Sequence, residues 1–161
     1  MPDQYSLRPA RIEDLAAINE LAEVMDSLHR EHLPNRFRKP EGPNRSREYV
    51  ESLIRDENTF LHVAESAGDV VGLINAGLDT TPDIPIKRPR RFLRIRGVVV
   101  RPDRRRQGVA TALFRAACDW AALHGAVEVQ LSVYDFNAAA AAFWQAHGFS
   151  CLSHRLFRPL P

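Results

Sequence analysis

Between Arg94 and Val133 the chain reads as a strand, a turn, a helix and a second strand, and this order constrains the fold more than any other feature. Val98, Val99 and Val100 form a β-branched run suited to a buried strand. Pro102 ends it, because a proline ring cannot donate to a sheet ladder. After an arginine cluster, Gly108 opens a segment in which Val109, Leu113, Ala116, Ala117 and Trp120 recur at helical spacing. That helix stops at His124 and Gly125, where glycine is free to take the left-handed conformation. Val127, Val129, Leu131 and Val133 then alternate as a strand. A strand, a crossover helix and a strand of one sheet wind right-handed, so these two strands are expected to run parallel.

The rest of the chain builds around that unit. Tyr5 to Arg8 predicts a short strand ended by Pro9, and Leu15, Ile18, Ala22 and Met25 predict a first helix reaching Leu28 to His32. Glu13 and Asp14 fall in its first turn, where the helix dipole favours anions. Leu33 to Arg45, with Pro34, Pro40, Gly42 and Pro43, has no period and predicts a loop that lines a substrate site. Ser46 is placed to N-cap a second helix whose stripe is Tyr49, Val50, Leu53 and Ile54. Phe60 to Glu65 and Val70 to Leu78 form a hairpin through Ser66, Ala67, Gly68 and Asp69, with Gly72 marking a bulge or a close approach. Asp79 to Arg90 is an irregular, proline-rich connection. Asn137 is placed to cap an alanine-rich helix ending at His147 and Gly148, and Cys151 to Phe157 predicts a last strand.

At 161 residues the chain fits one domain, residues 1–161, with a core of its own. No run approaches the ~20 apolar residues of a membrane span, and the N-terminus has no signal-peptide pattern, so a cytoplasmic location is expected. The net charge is only +2, yet basic residues crowd Lys87 to Arg106. Aromatic residues are not interleaved with these arginines as stacking platforms, which argues against a nucleic-acid partner. Cys118 and Cys151 have no metal-ligand spacing and predict buried, reduced thiols; His29 and His32 predict solvated helix-end residues, and no metal site is expected.

The chemistry converges on the turn before the third helix. Arg105, Arg106 and Gly108, followed by the small Ala110, put fixed positive charge and helix-start N–H groups together, a setting for a polyphosphate. The run is neither a Walker loop nor a Gly-x-Gly-x-x-Gly fingerprint. Read alone, the same residues also describe solvent-facing arginines before an ordinary helix.

Two stretches, taken in order, resemble the GNAT superfamily of acetyl-CoA-dependent N-acetyltransferases. Val98 to Ala110 looks like the superfamily's R/Q-x-x-G-x-G/A motif, and Asn137, Ala140, Phe143, Trp144, Gly148 and Phe149 fall at the spacing of its N-x-x-A-x-x-[FL]-Y-x-x-x-G-F block. Leu7 to Ala10, followed by Asp14, looks like the superfamily's opening strand and helix. The resemblance implies an α/β (α+β) fold: a mixed, mostly antiparallel sheet of six to seven strands with a central splayed parallel pair, flanked by about four helices. It implies that the backbone of Val98, Val99 and Val100 pairs with pantetheine amides. Arg105, Arg106, Gln107, Gly108, Val109, Ala110 and Thr111 would hold the pyrophosphate, and Asn137, Phe143 and Trp144 would line the arm. The implied reaction moves the acetyl group of acetyl-CoA directly to a primary amine of a small molecule or protein in a ternary complex. The resemblance leaves the oligomeric state open, homodimers being frequent in such families.

Two departures bear on mechanism. Where the family often has a tyrosine that protonates the leaving thiolate, this chain has Trp144, whose indole N–H is too weak an acid; Tyr134 is the alternative acid. Where many members place a glutamate base, the chain has Arg96 and Gly97. Either the acceptor amine has a low pKa, or Glu65 or His62 serves as base through water. Arg94 and Arg96 share a strand face and would favour a carboxylate or phosphate on the acceptor if that face looks toward it; otherwise they face solvent or meet Asp79 or Asp83. The missing tyrosine and glutamate also suit a CoA-binding sensor without transferase activity.

Overall fold

The computed structural model describes residues 5–161, which divide into two compact units with the boundary between Leu131 and Ser132. The first unit carries the described sheet, whose strands are β1 Ser6–Pro9, β2 Thr59–Ser66, β3 Asp69–Thr80, β4 Arg91–Val100 and β5 Glu128–Gln130. They lie side by side in sequence order. The pairs β1–β2, β2–β3 and β3–β4 are antiparallel and β4–β5 is parallel, as the crossover rule requires of strands joined through a helix. Three of the helices belong to this unit: α1 Leu15–His32, α2 Arg47–Arg55 and α3 Val109–Leu123. The α/β class, the mostly antiparallel sheet and the four helices agree with the sequence reading, while the described sheet has five strands instead of six to seven and carries its parallel pair at one edge.

Alternation along the strands assigns each face of the sheet its helices. On one face Leu61, Val63, Leu73 and Val99 pack with Ile18 and Leu21 of α1 and Val50 of α2. Ser46 starts α2 by accepting the Tyr49 N–H at 3.2 Å. On the other face lies α3, close enough that a methyl group at position 72 would sit 2.9 Å from Val109 Cγ1 and 3.2 Å from Leu113 Cδ1. Gly72 is therefore a close approach, and a register shift beside it leaves Val71 as an extra residue in β3.

The second unit holds α4, Ala138–Ala146. Asn137 Oδ1 caps it by accepting the Ala140 N–H at 3.0 Å, and Gly148 beyond its end takes φ +84. Two expectations need correction. Cys151 to Phe157 forms no strand: it has no ladder partner among the described residues, and its pattern placed apolar side chains at both odd and even positions, so neither face was committed to a core. Cys151 is consequently exposed, whereas Cys118 is half-buried and burial raises its thiol pKa. Among the described residues no helix is long and apolar enough to cross a membrane.

One polar cluster ties the chain's start to the sheet. Arg8 Nη1 and Nη2 donate to the two oxygens of Asp14 at 2.7 and 2.9 Å, and Arg8 Nε donates to Glu65 at 2.6 Å. Asp14 also accepts the Arg11 N–H at 2.8 Å. The Arg8 guanidinium holds the Asp14 carboxyl below the usual carboxylate range. Asp14→Ala is expected to cost about 1–3 kcal/mol in urea unfolding with an unchanged slope, because it strands the Arg8 donors. Since the folded carboxyl titrates below its unfolded value, this contribution is present at neutral pH and lost as pH falls through the folded pKa; Asp14→Asn should flatten that acid limb.

Candidate functional site

The distinctive feature of the sheet is how little of β4 is shared with β5. β4 pairs with β3 from Arg91 to Val100, but with β5 only from Phe92 to Arg94, opposite Glu128 to Gln130. Beyond Arg94 the far edge of β4 has no strand partner among the described residues, so the sequence-predicted span Val127 to Val133 shortens to three paired residues. Alternation in the sequence fixes which face a side chain takes, but a strand also needs a neighbour, and the β4–β5 ladder ends at Gln130. Val98, Val99 and Val100 thus line an edge with backbone groups available for pairing. Arg105 Nε reaches the Val100 carbonyl at 3.4 Å.

Directly after this edge comes the turn into α3. Arg106 takes φ +63 and Gly108 takes φ +81, the left-handed region that costs a side-chain-bearing residue and suits glycine. Two such residues this close are the backbone setting in which successive N–H groups form an anion concavity. Gln107 Nε2 braces the turn on the Asp103 carbonyl at 3.4 Å. The arginines here are not equivalent. Arg101 is paired with Asp103 at 2.7 Å and Arg104 lies 3.9 Å from the same carboxylate, whereas Arg105 and Arg106 meet no carboxylate among the described residues. Uncompensated charge therefore sits on the two residues that lead into Gly108, Val109, Ala110 and Thr111, where the first-turn N–H groups of a helix lack intrahelical acceptors.

A second feature lies on the sheet face that carries α1 and α2. A cavity of about 120 Å³ is lined by Met25, Tyr49, Leu53, Asn75, Arg96 and Gly97, among others. The strand register explains how these side chains meet. Asn75 pairs with Gly97 and Ala76 with Ile95, so Arg96 is the extra residue of a bulge in β4. The bulge lets Arg96 and Gly97 both turn to this face, with Gly97 close under Met25. Asn75 Oδ1 is buried without a hydrogen-bond partner among the described residues. Sequence reasoning passed over Asn75, although a lone amide inside the apolar run Val70 to Leu78 was the available signal.

The residues named for proton transfer fall in different places. Glu65 is engaged by Arg8 at 2.6 Å. His62 stacks on Phe60 at 3.7 Å, and Phe60 packs on Trp120 of α3, so His62 belongs to the face opposite the cavity. In the second unit Tyr134 is exposed and stacks with Phe136 at 5.7 Å, while Trp144 is buried and meets Phe143 and Phe149 edge-on at 4.8 and 5.3 Å.

The family model described as the acetyltransferase (GNAT) family matches residues 21–149. N-acetyltransferase family 8 member 3 of Rattus norvegicus is 36% identical over 90 residues, which cover 54% of this chain and 36% of that protein. This chain therefore matches little more than a third of that relative's length. A mutant of the BH1408 protein of Bacillus halodurans has the same fold at TM-score 0.92, with 24% identity, 97% of this chain and 99% of that chain covered. The aminoglycoside N-acetyltransferase AAC(6')-Iy, in complex with CoA, shares the fold at TM-score 0.72 and 17% identity, covering 97% of this chain and 99% of that chain.

Burial holds the His62 pKa below its ordinary 6.5. In an NMR titration His62 is expected to change charge at lower pH than the ordinary value. Because the unfolded chain then takes up the proton first, stability should decline as pH drops below about 6.5 and level off beneath the folded pKa. His62→Phe, which keeps a ring on Phe60, should remove that decline; a His62 pKa above 6.5 would contradict the buried stack.

Proposed function

The chain belongs to the acetyltransferase (GNAT) family, and from that membership we propose that it is an acetyl-CoA-dependent N-acetyltransferase acting on a primary amine of a small molecule or protein. The observation that carries this reading is the unpartnered edge of β4 running directly into a left-handed glycine at the start of α3. An extended amide-bearing arm that ends in a pyrophosphate needs both in that order. A methyl at position 108 would have Tyr5 Oη as its nearest neighbour, 3.6 Å away, so the turn has room and the constraint on residue 108 is its backbone conformation. A neighbour of the same fold was crystallised with CoA, which supports the same ligand here.

On this reading the backbone of Val98 to Val100 would hold the arm's amides. Arg105 and Arg106 would neutralise the pyrophosphate, and the turn from Gln107 to Thr111 would offer it N–H donors. Asn137, Phe143 and Trp144 would lie along the arm. Acetyl-CoA supplies a thioester carbonyl carbon to which the amine nitrogen bonds as the carbon–sulfur bond breaks, the nitrogen giving up one proton and the sulfur taking one. With Glu65 paired to Arg8 and His62 on the α3 face, the acceptor enters as the free amine. That selects an amine of low pKa: an α-amino group near ~8 is partly neutral at physiological pH, whereas a lysine near ~10.4 is not. Tyr134 is the side chain with a hydroxyl to return the proton to sulfur; Trp144 has none.

Acetyl-CoA at a hundredfold excess over Kd should stabilise the protein by about 2.7 kcal/mol in thermal unfolding. Gly108→Val should weaken binding tenfold or more, because valine does not tolerate the left-handed turn. Release of free CoA thiol with a panel of primary amines tests transfer. Stabilisation without thiol release from any amine would replace the enzyme with a CoA-binding module, and no stabilisation at all would sink both.

A further inference from the structure

We propose that the cavity between the sheet and α1 and α2 recognises an amine carrying a carboxylate close to its amino group, with Arg96 as the carboxylate anchor and Asn75 as the amine's hydrogen-bond acceptor. The inference rests on this cavity receiving the acceptor of the proposed transfer.

The position of the Arg96 guanidinium is fixed by the sheet beneath it. A methyl at position 77 would lie 2.6 Å from Arg96 Nη2 and 2.9 Å from Arg96 Cζ, so the guanidinium lies flat across the bare backbone of Gly77. Arg96 Nη1 donates to Thr59 Oγ1 at 3.4 Å, a long bond to a neutral group. It has no carboxylate within ion-pair distance among the described residues, and the nearby acids are committed elsewhere. Asp79 accepts from Arg94 Nε at 3.0 Å, and Asp56 accepts from Thr59 Oγ1 at 2.7 Å and from the Asn58 N–H at 3.0 Å. Arg94 and Arg96 therefore differ: the first is a surface ion pair, and the second is a seated planar fork at the mouth of a cavity with its paired donors open to a carboxylate.

Asn75 supplies the second half. Asn75 Oδ1 is a buried carbonyl oxygen without a partner among the described residues, and a ligand N–H would relieve its desolvation. Asn75 precedes Gly77 by two residues on β3, so it shares the face across which the Arg96 guanidinium lies, and successive positions of one face stand about 6.5–7 Å apart along a strand. An α-amino acid, with one carbon between its amino group and its carboxylate, spans that interval once its hydrogen bonds to Asn75 and Arg96 are included. Met25, Leu53 and Tyr49 give the remainder of the ligand an apolar wall.

The test measures binding first, by calorimetry without acetyl-CoA, using L-leucine, L-leucinamide and isoamylamine, and then CoA release with the same three amines. L-leucine should bind at least tenfold tighter than either analogue. Arg96→Gln should bring that ratio near one, and Arg96→Lys should keep only part of it, because an ammonium lacks the fork. Gly77→Ala should also lower the ratio with Arg96 still present, by pushing the guanidinium off its seat. Asn75→Ser should weaken L-leucine and isoamylamine alike. Equal affinities in the unaltered protein would overturn the proposal, as would an Arg96→Gln protein that keeps the ratio or loses all three ligands equally. A retained preference in binding with no CoA release from any amine would leave the proposal standing and remove the transferase reading. CoA release from isoamylamine and L-leucinamide without a preference for L-leucine would do the reverse.

Discussion

The parallel pair at the edge of the described sheet is held together by three paired positions, and the candidate site descends from that shortage. β4 is ten residues long and pairs with β3 from end to end except at the Arg96 bulge, so it does not need β5 to remain a strand. β5 is joined to it through α3, and α3 is fixed by burying Val109, Leu113 and Ala117 against the sheet. The two strands meet at Phe92 to Arg94, where β5 ends, and β4 runs on to Val100 without it. The unpartnered edge of β4 therefore lies toward its carboxyl end, from which the chain turns into α3. In open α/β sheets this is where ligands bind, because unpaired backbone and a helix N-terminus arrive there together.

The bulge at Arg96 does a second job on the same strand. Without it, Gly97 would turn to the α3 face, and the apolar alternation of Val98 and Val100 would be inverted. One extra residue restores Val98 opposite Ile74 and Val100 opposite Gly72, and it leaves two consecutive residues facing the cavity. Gly97 gives space beneath Met25, and Arg96 gives charge. The unpartnered edge proposed for the cofactor and the cavity wall proposed for the acceptor thus belong to one strand, and a single register shift sets the second.

Much of this was legible in the sequence. The valine run, Pro102, Gly108 and Gly125 each act locally, so the strand, turn and helix could be read from neighbouring residues. Ser46 and Asn137 as caps and Gly72 as a close approach were readable for the same reason. What escaped depends on partners distant in the chain. The length of β5 depends on where β4 diverges, and the absence of a strand at Cys151 to Phe157 on the lack of a ladder neighbour. The division of labour between Arg94 and Arg96 depends on Asp79 and Gly77, some 15 and 19 residues upstream. Asn75 shows the limit most clearly: its amide is unremarkable in a strand, and becomes informative only when its oxygen is found buried and unsatisfied.

In the proposed transfer, arginine where the family resemblance places a glutamate would also change how protons are handled. A glutamate near the acceptor would accept a proton from the ammonium, but its charge would also stabilise the ammonium form. A guanidinium has the opposite effect: it cannot take a proton, yet its field disfavours a second positive charge nearby and shifts the acceptor toward the free amine. The carboxylate that Arg96 is proposed to hold cancels part of that field, so the two effects oppose each other and the amine keeps a pKa near its solution value. Deprotonation is then a property of the acceptor rather than of a protein base. The rate should follow the fraction of free amine in solution, rising with pH up to the acceptor's own pKa and tracking that value as the acceptor is changed, a dependence that a dedicated protein base would replace with one fixed ionisation common to all acceptors.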